Sequence, residues 1–527
     1  MIPSSLALNE NFMTPTDDQY HDLIEEVLAN GSFKGDRTGT GTKAVVGRMA
    51  RYNLMNGRSP RLTTKFMSDN PEREMFWFIG GSSSIKELRD QNIGIWNSWL
   101  MEGSAQYRDL TQAEIQTALV KHLNVTDFSA IHNPGLPVGE FTIAIDEDDK
   151  DRAVFEYADE TSWGFAYSRM LNRLPSKLID GDIGPGGYGP QWRHWKDVQL
   201  VSRAQLHAYR QQGYKQLGKV NPPDLPYGVE ELTAALDAHL RGKGFASTSI
   251  GDADSCMLPE RGWEAVGDPT KNECAHVLYL NEDALIDCYV TLLDVPRFVM
   301  YREIDQLANA IKLLREDPNS RRIIISAWNP ALTWKAALPP CHLYFQFISH
   351  ELTIEQRYAI ARDRVALEKY DIEKAAKSGI VDAALRTWMQ YDLEADRKDC
   401  TDEDLHANMD TVRIPRRGLY CFLLLRSNDL GLGQPFNVAQ YATLTHMVAQ
   451  CVGMAPLELV WTAVDAHVYT NHVDALNKQL NQSSLDCIPR IKLAKGITEI
   501  DDFDISKIVI HDYESHEALT KSMPVAV

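Results

Sequence analysis

Tyr420-Cys421-Phe422-Leu423-Leu424-Leu425-Arg426-Ser427-Asn428-Asp429, followed shortly by Gly433-Gln434-Pro435-Phe436-Asn437, is the stretch from which the architecture can be read. Six consecutive apolar residues running into four polar ones fit a buried strand that delivers polar groups at its end. The Gly- and Pro-containing turn then leads into a helix from Val438 to about Val452, stopped at Gly453, with Tyr441, Leu444 and Met447 on its apolar face. A strand–turn–helix junction of this kind predicts an α/β chain and brings Arg426, Asp429 and Asn437 close together, where rigid scaffolds place binding groups.

Upstream, Leu338-Pro339-Pro340-Cys341-His342 precedes the strand-like Tyr344-Phe345-Gln346-Phe347. A cysteine beside an ionisable histidine, held by two rigid prolines, is a candidate nucleophile. Cysteine reacts as its thiolate, so it needs nearby positive charge. Arg321-Arg322 upstream and Arg426-Ser427 downstream offer that charge. One cysteine among several arginines points to covalent chemistry on an anionic, phosphorylated substrate. Taken alone, the motif is equally that of a buried structural cysteine.

The 527 residues carry a net charge of −19, which argues against a general nucleic-acid-binding surface. A composition 44% hydrophobic and 24% charged is that of a soluble globular protein. The eight cysteines are scattered without a CxxC pair, so neither a zinc site nor a disulfide framework is expected, and no metal. Met1-Ile2-Pro3-Ser4-Ser5 lacks the character of a signal peptide, and no apolar run approaches the ~20 residues that span a bilayer. The expectation is a cytoplasmic protein with no membrane partner, in the host cytoplasm if the chain is viral.

Further segments complete the pattern. Asp36-Arg37-Thr38-Gly39-Thr40-Gly41-Thr42 is a polar turn, and the helix around Glu74-Met75-Phe76-Trp77-Phe78-Ile79 ends at Gly80-Gly81. Ile95-Trp96-Asn97-Ser98-Trp99, Tyr188-Gly189-Pro190-Gln191-Trp192-Arg193 and Asp317-Pro318-Asn319-Ser320-Arg321-Arg322 follow. Ser326-Ala327-Trp328-Asn329-Pro330, Asp465-Ala466-His467-Val468-Tyr469-Thr470-Asn471-His472 and Pro524-Val525-Ala526-Val527 come later. With the Cys341 and Arg426 segments, this ordered set resembles the thymidylate synthase family. The resemblance implies that family's fold, α/β (α+β) with a large mixed β-sheet flanked by helices, in one catalytic domain over residues 17–527. It is silent on residues 102–182, 196–300 and 352–416, which read as three insertions. The first of these reads as mixed helix and loop, the third as mostly helical.

By resemblance, Cys341 attacks C6 of the pyrimidine of dUMP, and 5,10-methylene-tetrahydrofolate is the co-substrate. Arg426 binds substrate phosphate and holds the thiolate. Arg37 and Ser427 complete the phosphate cradle, and Arg321 and Arg322 are contributed across a homodimer interface. Glu74, set among apolar neighbours, suits a carboxyl of raised pKa that moves protons, with His342 in the same network. Asn437 reads the base, because an amide accepts from uracil N3–H and donates to O4. His467 and Tyr469, two apart on a strand, bind the ribose hydroxyl. Trp96, Trp99, Asp429, Gly433 and Val527 fall to the folate. Four positions depart from the family's pattern: Leu425 in place of glutamine, Arg73 beside Glu74, Val464 in place of glycine, and the extra residue of Gly186-Gly187. These leave three readings open: thymidylate synthase, a dUMP 5-hydroxymethylase in which water replaces hydride in the second step, and a catalytically retired scaffold.

Overall fold

In the strand Arg417–Asp429, Leu419, Cys421, Leu423 and Leu425 are wholly buried while Tyr420, Phe422 and Leu424 are half-buried. This period of two places alternate side chains on opposite faces of a sheet. The structure, a computed structural model, describes residues 15–35, 39–109, 141–145, 153–157, 176–220, 231–232, 234–235, 238, 250–251, 264–266, 275–279, 293–377, 393–519 and 522–525. The chain divides into two compact units, Met1–His194 with Asp305–Val527, and Trp195–Ile304.

The first unit is built on a six-stranded mixed sheet. Its strands in chain order are β1 (Ser32–Lys34), β2 (Thr42–Asn53), β3 (Ile324–Ser326), β4 (His342–Glu351), β5 (Arg417–Asp429) and β6 (Ala455–Tyr469). They lie side by side as β1-β2-β6-β5-β4-β3, and only the β5–β6 pair is parallel. The packed helices include α1 (Thr16–Asn30), α2 (Asn70–Ile79), α3 (Gln306–Glu316) and α4 (Gly433–Val452). A parallel pair needs a crossover connection, and α4 supplies it. This helix is buried nearly all round, as an apolar helix covered by neighbours must be, and ends at Gly453 with φ +68°.

Helix α4 begins five residues before Val438. The carboxylate of Asp429 accepts the backbone N–H groups of Gly431 (2.8 Å) and Leu432 (3.2 Å), fixing the turn that enters the helix. Pro435 lacks an N–H only where the first turn has no partner for one. Gly433 and Asn437 therefore stand on helix rather than in a loop. The described parts of residues 102–182 also correct the expectation of helix and loop. Gln106–Asp109 pairs with Ser176–Asp180, and Phe141–Ile145 with Ala153–Tyr157, both antiparallel. Phe-Thr-Ile-Ala-Ile and Ala-Val-Phe-Glu-Tyr are rich in β-branched and aromatic residues, which favour strands over helices. In residues 352–416 the described elements are helical, chiefly Ile354–Lys377 and Asp402–Thr411.

The inner face of the sheet carries Tyr52, Phe345, Phe347, Leu423, Leu425 and Trp461 into one core with α2 and α4. On the outer face Tyr420 packs against the helices Ile354–Lys377 and Asp402–Thr411, while Val46 is 80% exposed and Met49, Ile324, Ile348 and Val464 are exposed as well. The second unit holds an antiparallel sheet of Trp195–Val201, Phe298–Ile304 and Lys215–Lys219, with Val201, Tyr214, Phe298 and Met300 as its small core. Among the described residues no helix is long and apolar enough to cross a membrane.

Leu423→Ala should lower the stability of the first unit by about 3 kcal/mol, the usual result of emptying a close-packed leucine site. A denaturant midpoint measured beside wild type checks this, and an unchanged midpoint would contradict the packing described.

Candidate active site

Cys341 is a half-buried thiol outside any disulfide, immediately before β4. The guanidinium of Arg426, from β5, donates through Nε to the Pro340 carbonyl (2.9 Å) and through Nη2 to the Pro339 carbonyl (2.8 Å). Nη2 also lies 3.6 Å from Cys341 Sγ. A backbone bond from Arg426 N–H to the Cys341 carbonyl (2.8 Å) closes the same junction. Arg426 thus anchors the rigid Pro-Pro turn and puts a permanent positive charge on the sulfur, which favours the thiolate. A register shift between His342 and Tyr344 in the β4–β5 ladder inserts Leu343 as an extra residue. Its carbonyl accepts from Ala327 and Trp328, so the bulge ties the following loop to the cysteine.

Glu74 projects from α2 into the core and is nearly inaccessible. Trp96 Nε1–H donates to its Oε1 at 2.5 Å, and the Gln440 amide donates to its Oε2. Burial raises the carboxyl to about 7 from its ordinary 4.5, against the opposing effect of these two bonds. The cation of Arg73 does not enter this balance. It turns away to Asp69 (2.7 Å) and Gln91 (2.7 Å). The Trp99 ring sits 6.0 Å from that of Trp96, and its buried indole N–H has no hydrogen-bond partner. An unpaired donor on an aromatic wall suits a flat heteroaromatic ligand with an acceptor to offer.

Asn437 accepts from Asn428 Nδ2 (2.9 Å) and donates to Gln440 Oε1 (3.4 Å). His342, buried on β4, faces Tyr441 Oη at 2.9 Å and stacks 4.7 Å from the Tyr188 ring. Burial lowers His342 to about 3, with a hydrogen bond to Asn437 opposing the shift, so the ring is neutral at physiological pH. Leu425, at the family's glutamine position, is wholly buried and opposite His342 in the ladder.

Asp429 is held by the turn that starts α4 and by His472, whose Nδ1 lies 3.7 Å away. Burial alone would raise this carboxyl, but the neighbouring His472 brings it below its ordinary value. His472 Nε2 in turn donates to the Pro524 carbonyl (2.8 Å), anchoring the C-terminal segment beside Asp429. On β6, His467 Nδ1 lies 3.0 Å from Asp465 and 3.5 Å from Ser427 Oγ, and the Tyr469 ring packs 5.3 Å from its own. His467 and Lys34 hold Asp465 down to about 2. Ser427, His467 and Tyr469 thus form one group, as their strand positions suggest.

The structure does not bring every expected residue to Cys341. Arg321 and Arg322 are exposed in the loop before β3, and neither side chain has a partner among the described residues. Arg37 and Val527 lie outside the described residues. Sequence reading missed several groups that line the site. Tyr188 Oη accepts the Cys341 N–H at 2.8 Å, and burial raises its phenol well above the ordinary range. Lys65 donates from a buried position to the Gly431 carbonyl, and burial lowers it to about 8. Asn428 and Gln440 flank Asn437. Tyr188 and Asn428 had one signal, their place in matching segments; Lys65 and Gln440 had none.

These features agree with the comparisons. The thymidylate synthase family model matches residues 18–224, 260–363 and 386–527. The chain belongs to the thymidylate synthase family. A protein named thymidylate synthase from Rhizobium rhizogenes (strain K84 / ATCC BAA-868) is 25% identical over 508 residues, spanning 96% of this chain and 98% of its own. Another of that name, from Listeria monocytogenes serotype 4b (strain CLIP80459), is 26% identical over 518 residues, with 97% and 99% covered. One from Cereibacter sphaeroides (strain ATCC 17025 / ATH 2.4.3) is 26% identical over 514 residues, with 97% and 100% covered. Family membership and these relatives support the methyltransferase reading over the hydroxymethylase.

The raised carboxyl of Glu74 gives a pH-dependent prediction. Its folded pKa lies above its unfolded one, so its contribution to stability is full below about pH 4.5 and is lost as pH rises through about 7. Glu74→Gln cannot titrate. The stability of wild type relative to this variant should fall by roughly 3 kcal/mol between pH 4.5 and pH 8. Paired denaturant titrations across that range test it, and parallel curves would contradict the shift.

Proposed function

We propose that the protein is a thymidylate synthase that converts dUMP to dTMP with 5,10-methylene-tetrahydrofolate. The observation that carries this is the contact of Arg426 with Cys341 Sγ at 3.6 Å, in a loop that the same guanidinium holds in place. The thiolate adds to C6 of the pyrimidine: an S–C6 bond forms, the C5–C6 π electrons move toward O4, and C5 becomes nucleophilic. The co-substrate's one-carbon unit bonds to C5, C5 gives up its proton, the Cys341 sulfur leaves C6 as thiolate, and hydride from the co-substrate completes the methyl group, leaving dihydrofolate. Glu74, poised to titrate near neutrality, exchanges protons at O4 and C5, and Asn437 pairs with N3–H and O4. Arg426, Ser427 and Arg37 receive the phosphate. His467 and Tyr469 receive the ribose hydroxyl. Trp96, the unpaired indole N–H of Trp99, Asp429, Gly433 and Val527 serve the folate.

The protein works as a homodimer in the cytoplasm. Its support is the group of exposed apolar residues Val46, Met49, Ile348 and Val464 on the outer face of the sheet, and the exposed Arg321 and Arg322, whose side chains have no partner among the described residues, beside the exposed Ile324 at its edge. Residues 102–182, 196–300 and 352–416 are insertions into the catalytic domain of residues 17–527. Two observations support the second and third of these: Trp195–Ile304 forms its own compact unit, and the family match, which runs through residues 102–182, omits residues 225–259 and 364–385.

Mass analysis of the nucleotide formed from dUMP and methylene-tetrahydrofolate tests the activity. The expected product is dTMP with matching dihydrofolate. Hydroxymethyl-dUMP would overturn the synthase reading, and no product from folded protein would overturn both enzyme readings. Cys341→Ser should lower turnover at least ~10³-fold, because an alcohol is a far weaker nucleophile near neutral pH. Mixing inactive Cys341→Ser with inactive Arg321→Ala/Arg322→Ala protein tests the shared site. Mixed dimers carry one intact site and should regain activity, whereas no recovery after subunit exchange would contradict the sharing.

A further inference from the structure

A row of buried side chains runs from the core to Glu74. Trp461 Nε1–H donates to Asn428 Oδ1 (3.0 Å), Asn428 Nδ2 to Asn437 Oδ1 (2.9 Å), Asn437 Nδ2 to Gln440 Oε1 (3.4 Å), and Gln440 Nε2 to Glu74 Oε2. Every member is less than 9% exposed, and Trp461 and Gln440 are wholly buried. Resting on the dUMP reading of this site, we propose that Asn428 and Gln440 are positioning residues that lock the Asn437 amide in the orientation that accepts uracil and rejects cytosine.

An isolated asparagine amide can turn over and exchange its oxygen for its nitrogen, which would reverse its reading of a base. Here the two ends of the row forbid the exchange. An indole N–H only donates, so Asn428 must offer Trp461 its oxygen and Asn437 its nitrogen. While Glu74 is ionised it only accepts, so Gln440 must then offer Glu74 its nitrogen and Asn437 its oxygen. Turning Asn437 over would set nitrogen against nitrogen and oxygen against oxygen in a dry site, leaving buried groups unpaired. In the locked orientation the row itself leaves Asn437 one lone pair on Oδ1 and one hydrogen on Nδ2. These match uracil N3–H and O4. Cytosine offers a bare N3 and an amino group, the opposite pattern.

His342 also reaches Asn437, but it cannot set the polarity. Its neutral ring and the Tyr441 hydroxyl can both exchange donor for acceptor, so that pair adapts to either orientation. Gly433 leaves room for the row: a Cβ there would meet Asn428 Nδ2 at 2.9 Å.

The test is calorimetric binding of dUMP and dCMP to full-length wild type, Asn428→Asp and Gln440→Met. Asn428→Asp still accepts from Trp461 but presents oxygen to Asn437, inviting the amide to turn. Gln440→Met keeps the volume and removes the second anchor. The ratio of dUMP to dCMP affinity should fall at least about tenfold in Asn428→Asp and about threefold or more in Gln440→Met. Loss of affinity for both nucleotides by the same factor marks a packing role and overturns the proposal, as does an unchanged ratio. Wild type that fails to bind dUMP would instead overturn the functional reading. Should neither variant fold, the Asn437 side-chain amide in ¹⁵N-labelled wild type decides. Asn437 amide protons strongly protected from solvent exchange support the lock, and exchange as fast as that of an exposed side-chain amide overturns it.

Discussion

One guanidinium joins the two halves of the site. Arg426 sits on the central strand β5, and its hydrogen bonds to Pro339 and Pro340 carry the sheet's rigidity to a loop that has no regular structure of its own. The same group lies against Cys341 Sγ. Lysine could supply the charge but not the fork of donors that reaches two successive carbonyls. The cation is therefore scaffold and activator at once. The bulge at Leu343 follows from this arrangement, because the chain must leave the clamped turn and still enter the β4–β5 ladder with Phe345 and Phe347 facing the core.

Burial does the chemical tuning around that clamp. It carries Glu74 up to about 7 and His342 down to about 3, although the two lie in one network. Desolvation disfavours whichever form is charged, so acid and base move in opposite directions and both tend toward neutrality. The aromatic rings of Trp77, Phe78, Trp96, Tyr188 and Trp192 pack against one another here and exclude water. Only groups such as Asp429 and Asp465, each with a histidine beside it, stay in the ordinary carboxylate range or below.

Much of this was legible where the signal is local. The apolar run before Arg426 read correctly as a buried strand, and the apolar neighbours of Glu74 gave the direction of its shift. What the sequence could not supply were partnerships made through space. Gln440 lies 366 residues from Glu74 and Tyr188 lies 153 from Cys341, so no window of sequence contains either pair. The start of α4 was misplaced because Asp429, outside the helix, fixes its entry. Arg73 looked like a perturbing charge beside Glu74, yet neighbours in a helix point in different directions, and its partner is Asp69 one turn back. Residues 102–182 looked helical or irregular because short strands paired across long gaps show little periodicity of their own.

The sheet's order has a consequence for synthesis. β2 lies between β1 and β6, and its Arg51 pairs with Glu458, 407 residues later in the chain. At ~5–20 residues per second, a ribosome makes β2 roughly 20–80 s before β6 exists. For that interval the strand has only the short β1 as a neighbour, and its other edge is open to any passing strand. Arg48 and Arg51 on β2, with Gly47 between Val46 and Arg48, interrupt its apolar character. Charges of this kind guard an edge against misassembly, and once β6 has been made the Arg51 charge is taken up by Glu458.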